Sequence, residues 1–403
     1  MSEGETVPGP LADVLVLEMG HLLAGPFCGH LLADFGAEVI KVEPPERGDP
    51  MREWGHVRAD ETPLWWPILA RNKKSVTIDL RQKAGQHLAR ELVQQTDVLI
   101  ENFRPGTLER WGMSYQELSQ LNPGLVLVRV TGFGQDGPYA ARAAYGSIGE
   151  AMGGIRHITG DPDRPPSRTG ISLGDSLAGT FAALGCLMAL HERARTGVGQ
   201  VVDAAIYEAV LAFMESMIPE YQLGGYVRGR HGPILPQVAP SNVYETADGG
   251  YVLIAANQDS VFARLTVCMG QPELSADERF STHASRGEHQ HELDKVIASW
   301  TKGSETHQLL ENLTQHGVPS GLVYTAAEML EDPHFRARRA IVSHLHPVLG
   351  DFPMQGVFPV LSRTPGGVRH LGPQLGEHNR DVLGRLLGRT DEELEGLRLQ
   401  GTI

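Results

Sequence analysis

The feature that most constrains this chain is the alternation of short apolar runs with helical patterns over its first 130 residues. Val14–Glu18 (VLVLE), Ala37–Val42 (AEVIKV), Ser75–Leu80 (SVTIDL), Asp97–Glu101 (DVLIE) and Leu125–Val130 (LVLVRV) read as strands. Residues 27–36, 83–95 and 115–121 carry helical patterns between them. Strand, helix, strand repetition implies parallel pairing through right-handed crossovers. The expected class is α/β, a doubly wound parallel sheet that takes ligands beyond the carboxyl ends of its strands. Asp175 opens a run, Ser176–Ala194, that is dense in Ala, Leu and Gly and predicts a helix buried on most faces. A further helix is expected over Val202–Gln222. The Gly- and Pro-rich stretch Gly224–Pro240 reads as a linker. A strand at Gly250–Ala255 and helices near 261–269, 289–301 and 306–316 then suggest a second, smaller α/β domain. The expected division is 1–223, a linker and small domain over 224–333, and a last segment, 334–403, with a helix near 380–387.

Composition excludes several function classes. The chain has 403 residues and a formal charge of −14, with a mean hydropathy of −0.20. An acidic balance of this size argues against a nucleic-acid surface. No run of about 18 apolar residues is evident, so no membrane span is expected. The polar, acidic Met1–Pro10 segment reads as neither a secretory signal nor a transit peptide. Cys28, Cys186 and Cys268 are far apart, which fits a reducing, cytoplasmic setting rather than a disulfide framework or a metal knuckle. His283, His289 and His291 have weak metal-ligand spacing and read as a polar helix; no metal is expected. No GxGxxG stands at a strand-to-helix turn, which counts against a nicotinamide oxidoreductase, and GxxxxGK[ST] is absent, which counts against a phosphate-loop enzyme.

Four segments carry chemistry or plain structure, and residue type alone leaves both readings open. Gly20–Pro26 follows the first strand, where small residues let a ligand approach the backbone; it is also a sufficient tight turn. Arg71-Asn72-Lys73-Lys74 puts three cations in an acidic chain, as an anion contact or a solvated turn. Asn102, Phe103 and Arg104, with Arg110 a turn later, lie at the carboxyl end of a central strand. There an aromatic ring and a guanidinium fork suit an adenine and a phosphate. Asp175, after Gly174, is an N-cap or a nucleophile toward an activated acyl group.

Together these segments resemble the class III coenzyme A transferases, the family of formyl-CoA transferase and carnitine CoA-transferase. The resemblance rests on LLAGPF, FGAEVIKVEPPERGDPMR, ARNKKSVTIDLR, DVLIENFRPG, VTGFGQDGPY, GDSLAGT and RTGVGQ, in order from about Leu11 to Gln200. It thins afterwards and returns at Leu375-Gly376-Glu377-His378. It implies a large domain built from both ends of the chain, a smaller domain, and an interlocked homodimer. It implies that Asp175 is the nucleophile. It implies CoA contacts at His21, Leu23 and Ala24, along Asn72–Arg81, at Asn102, Phe103 and Arg104, and at Arg110. The family's basic position after the GFG turn falls on Ala143, which leaves Arg142 as its candidate substitute. The CoA thioester is then a substrate, and no tightly bound cofactor is expected.

The chemistry so implied moves CoA from an acyl-CoA, by resemblance succinyl-CoA, to a short dicarboxylic acid. It passes through an aspartyl anhydride and an aspartyl-CoA thioester. Trp54, Trp65 and Trp66 are candidate pocket walls. Arg228, Arg230 and His231 are candidates for a second carboxylate. The alternative within the superfamily is an α-methylacyl-CoA racemase-type isomerase. The histidine that racemases place after the GFG turn falls on Tyr145, and a phenol with a pKa near 10 is a poor base at neutral pH. A non-catalytic CoA-binding protein is the third class.

Overall fold

In a computed structural model, which describes residues 8–55 and 63–403, six strands form one parallel sheet. They are β1 (Leu15–Glu18), β2 (Glu38–Glu43), β3 (Lys73–Thr77), β4 (Val98–Glu101), β5 (Val126–Thr131) and β6 (Val201–Ala205), in the order β3-β2-β1-β4-β5-β6. The order reverses between β1 and β4, so the crevice above their carboxyl ends is the topological switch point where such sheets bind ligands. Successive side chains point to opposite faces, and both faces are covered, so the strands are apolar without a polar side. Val16, Val39, Val98, Ile100 and Val128 enter one core. Leu17, Ile40, Val76, Leu99 and Leu127 enter the other.

Five helices matter for the site: α1 (Ala24–Asp34), α2 (Lys83–Val93), α3 (Tyr115–Leu121), α4 (Gly146–Met152) and α5 (Leu173–Thr196). Helices α1 and α5 cover the first face, α5 through Ala178, Ala182, Cys186 and Ala189. Those positions step by three or four residues and so share one side of the helix. Helices α2 and α3 cover the second face. Val382 and Leu383 of the helix Asn379–Leu387 and Leu394 of the helix Asp391–Leu399 join them.

Four expectations need correction. Val201–Ala205 is a strand paired in parallel with β5, not the start of a helix; the helices Ile206–Leu211 and Met217–Gly224 follow it. Helix α1 begins at Ala24, so the first loop is shorter than expected and Pro26 sits in the first helical turn. There its missing N–H costs nothing. Helix α5 is not buried on most faces. Phe181, Leu184, Leu187 and Met188 are exposed on it. It is also long and apolar enough to cross a membrane, contrary to the expectation from sequence, yet its small-residue side packs on the sheet.

The chain divides into two compact units. One runs from the start of the described chain to Arg156, then takes in Thr169–Gly225 and Ala337–Ile403. The other comprises His157–Arg168 and Tyr226–Arg336; residues 157–168 thus group with the second unit, not the first. Its strands Ser241–Glu245, Tyr251–Ala255 and Ser320–Leu322 pair antiparallel. Val252 and Ile254 face a core with Phe262, Leu265, Leu293, Ile297, Leu309 and Leu313.

Candidate active site

The first loop leaves β1 and meets the segment leaving β4 at the switch point. His21 N–H donates to Asn102 Oδ1 at 2.8 Å, and Asn102 Nδ2 donates to the His21 carbonyl at 2.8 Å. This side-chain amide continues the strand pairing where β1 and β4 diverge. It also explains Gly20, where a Cβ would stand 2.9 Å from Asn102 Oδ1. The Phe103 ring meets His21 edge-on at 5.6 Å and Trp111 at 5.2 Å. Its N–H donates to the buried Glu101 carboxylate at 2.6 Å. Burial raises the Glu101 pKa against the pull of Arg129. Arg104 and Arg110 are exposed on the same stretch, and Arg110 reaches Thr107 Oγ1 at 2.9 Å.

A buried ionic network holds this loop from below. Lys41 Nζ donates to Glu18 at 3.1 Å and to the Gly20 carbonyl at 2.8 Å, and it pairs with Asp49 at 2.8 Å. Lys73 Nζ donates to Glu18 and to the Pro26 carbonyl, both at 2.7 Å. Leu22, at φ +62°, donates its N–H to both Asp49 oxygens, at 3.1 and 3.2 Å. Burial opposes ionisation of Asp49, but the Lys41 ammonium outweighs it and holds the carboxyl below the usual range. Burial and Lys41 together lower the His21 pKa, so the imidazole is neutral at pH 7.

The basic segment before β3 is therefore a correction. Arg71 and Lys73 are not solvent-facing anion contacts. Arg71 makes a two-pronged pair with Asp34, at 3.0 and 2.6 Å, and Lys73 is spent on Glu18. Asn72 is buried too, donating to Asp34 at 2.9 Å and accepting the Arg369 N–H at 2.7 Å. Lys74 alone of the four is half-buried, paired with Asp381 at 2.6 Å and Glu38 at 3.1 Å. Leu23 and Ala24 are both buried, Leu23 against Met51, Trp66 and Ala70. Arg142 lies apart and exposed, its guanidinium 3.7 Å from the Tyr139 ring centroid.

Asp175 is the third residue of α5; the N-cap position belongs to Ser172, so the plain capping reading of Asp175 does not hold. A Cβ on Gly146, the first residue of α4, would stand 2.2 Å from Asp175 Oδ2. One turn along α5, a Cβ at Gly179 would stand 2.7 Å from the Ala24 carbonyl. The aspartate thus lies one helical turn from the place where α5 packs on the start of α1. The buried Glu150 accepts the Gly174 N–H at 3.1 Å and the Arg156 Nε–H at 2.8 Å. Sequence reasoning missed Gly146, Glu150, Arg156, Glu18, Lys41 and Asp49. A usable signal existed for Glu18 and Lys41, which are charged residues inside otherwise apolar strands.

The other candidates separate. Trp66 is buried and donates Nε1–H to the Pro373 carbonyl at 2.8 Å, while Trp54 and Trp65 are partly exposed and meet edge-on at 6.0 Å. Arg230 donates to the carbonyls of Asp161, His157 and Pro162, which ties residues 157–168 to the second unit. Tyr145 is exposed at the N-cap of α4. The three cysteines are free and buried, and no group of three or more His, Cys, Asp or Glu suited to a metal occurs among the described residues.

A family model, CoA-transferase family III, matches residues 11–379. The chain belongs to this family. It is a class III CoA-transferase, and relatives of known activity align along nearly its whole length. It is 62% identical over 396 residues to the succinyl-CoA–D-citramalate CoA-transferase of Chloroflexus aurantiacus, covering 98% of each chain. It is 39% identical over 404 residues to the succinyl-CoA–L-malate CoA-transferase beta subunit of the same organism, covering 100% of each. The crystal structure of a CAIB/BAIF family protein from Brucella suis matches 94% of this transferase and all of that chain, at 35% identity and a TM-score of 0.83.

Proposed function

We propose that this transferase moves CoA from succinyl-CoA to a short dicarboxylic acid through covalent intermediates on Asp175. The Asp175 carboxylate oxygen attacks the thioester carbonyl carbon, the carbon–sulfur bond breaks, and CoA thiolate leaves behind a mixed anhydride. The thiolate then attacks the Asp175 carbonyl carbon, which releases succinate and forms the aspartyl-CoA thioester. The acceptor carboxylate attacks that thioester and expels thiolate. Thiolate finally attacks the acceptor's acyl carbon, forming the product and freeing Asp175. Each step exchanges one acyl bond for another, so no ATP is consumed.

The observation that carries this reading is the position of Asp175. It stands in the first turn of α5, with its carboxylate against a residue that has no side chain, one turn from the start of α1. The relatives that use succinyl-CoA support the choice of donor, and their hydroxylated diacid acceptors support a dicarboxylate. CoA binding is assigned to the switch point, with His21, Asn102 and Phe103 beside the nucleotide and Arg104 and Arg110 toward its phosphates. Leu23 and Ala24 contribute backbone, and Lys74 and Arg142 are outlying cations. The interlocked homodimer belongs to the same reading, supported by the exposed apolar surface of α5. Replacing Asp175 by Ala is expected to abolish exchange of label between succinyl-CoA and succinate. Residual exchange by pure variant above a few per cent of wild type would contradict it.

A further inference from the structure

Three arginines of the large unit show two ways of holding a buried carboxylate. Arg71 grips Asp34 through Nε and a terminal nitrogen, and Arg52 grips Glu43 in the same two-pronged way. Arg156 differs. It reaches Glu150 through Nε alone, at 2.8 Å, because the other Glu150 oxygen is occupied by the Gly174 N–H at 3.1 Å. Glu150 is 1% exposed, whereas the Arg156 side chain is 23% exposed. No described residue partners its two terminal nitrogens, and neither is a buried orphan. The end-on edge of the guanidinium is thus open, and two parallel N–H donors on that edge match a carboxylate. A single buried carboxylate, Glu150, links the Nε side of this guanidinium to Gly174, the residue before Asp175.

We propose that Arg156 receives the distal carboxylate of the dicarboxyl group whose other carboxyl reacts at Asp175. The proposal rests on the aspartyl reading above and adds the specificity element to it. Glu150 and Asp175 by themselves would repel a dianion, and Arg156 offsets the charge of Glu150 while presenting N–H donors of its own. Glu150 fixes both ends of the arrangement, the start of α5 and the guanidinium, so recognition and nucleophile share one support. The trio Arg228, Arg230 and His231 is then not needed for this role, and Arg230 is already spent on backbone carbonyls.

The test compares succinyl-CoA with butyryl-CoA, which has the same four-carbon acyl chain without the distal carboxylate. The readout is the single-turnover rate of hydroxylamine-sensitive labelling of the Asp175 peptide. In Arg156→Gln the side-chain amide can still donate to Glu150, and Arg156→Lys keeps the charge without the fork. Arg156→Gln is expected to slow labelling by subsaturating succinyl-CoA roughly 100-fold, the loss typical of a paired charge. Labelling by butyryl-CoA is expected to be unchanged, and Arg156→Lys to fall between. Equal slowing with both donors, or no slowing with either, in a variant that melts like wild type would overturn the proposal. Wild-type protein that turns over succinyl-CoA without labelling Asp175 would instead sink the aspartyl reading, and this proposal with it.

Discussion

A methyl group at Gly146 would stand 2.2 Å from Asp175 Oδ2, inside any real contact distance. One of the two residues would have to move, and the carboxylate is the end of a rotatable side chain whereas Gly146 is backbone. A displacement of about 1 Å at a reacting atom is enough to cost on the order of 100-fold in rate. Gly146→Ala is therefore expected to lower kcat by at least that factor, with KM for succinyl-CoA and the melting temperature near wild type. Steady-state kinetics and a thermal melt check both halves, and an active Gly146→Ala enzyme would mean that Asp175 is not held where the chemistry needs it. The aspartate itself was visible in the sequence as a carboxylate after glycine at a helix start. Its constraint was not, because Gly146 lies 29 residues earlier and nothing in its neighbours marks it as a contact.

Elements explain which readings survive. The five strands of the opening alternation were legible because each is a short apolar run bounded by turn residues. The sixth was not. Val201–Ala205 runs straight into Ala-, Glu- and Leu-rich residues that favour a helix, and only its pairing with β5 makes it a strand. The basic segment failed for a related reason. Local charge suggests a surface, but the first residues of β3 are covered by the returning end of the chain, and Lys73 finds Glu18 across the sheet, 55 positions away. That pair tests how the first loop is supported. Removing one partner of a buried ion pair typically costs about 3–5 kcal/mol, because the other charge is left in a low dielectric. Lys41 remains beside Glu18, so Lys73→Met is expected near the lower end of that range. It is also expected to raise KM for the CoA substrate, because the Pro26 carbonyl loses its donor. Urea unfolding and KM measured on the same preparation check this; an unchanged midpoint would show that Lys41 alone satisfies Glu18.

At the scale of the whole molecule the large unit carries more exposed apolar surface than a monomer needs. Phe181, Leu184, Leu187 and Met188 on α5 are joined by Phe213, whose ring meets Phe181 edge-on at 5.9 Å. An apolar surface of this kind supports the proposed homodimer. The expected outcome in sedimentation velocity is a dimer that persists on dilution to nanomolar concentration and separates only with unfolding; a reversible monomer would contradict interlocking. The parallel sheet and the switch point beyond its strand ends were readable in advance, whereas the ion pairs beneath the first loop were not, since Lys73 and Glu18 meet only once the sheet has formed. The central claim is that CoA transfer passes through a covalent bond to Asp175. The most direct measurement is mass spectrometry of the enzyme mixed with succinyl-CoA, trapped with hydroxylamine and digested. A mass shift is expected on the peptide bearing Asp175 and on no other. An unmodified Asp175 in enzyme that is actively transferring CoA would contradict it.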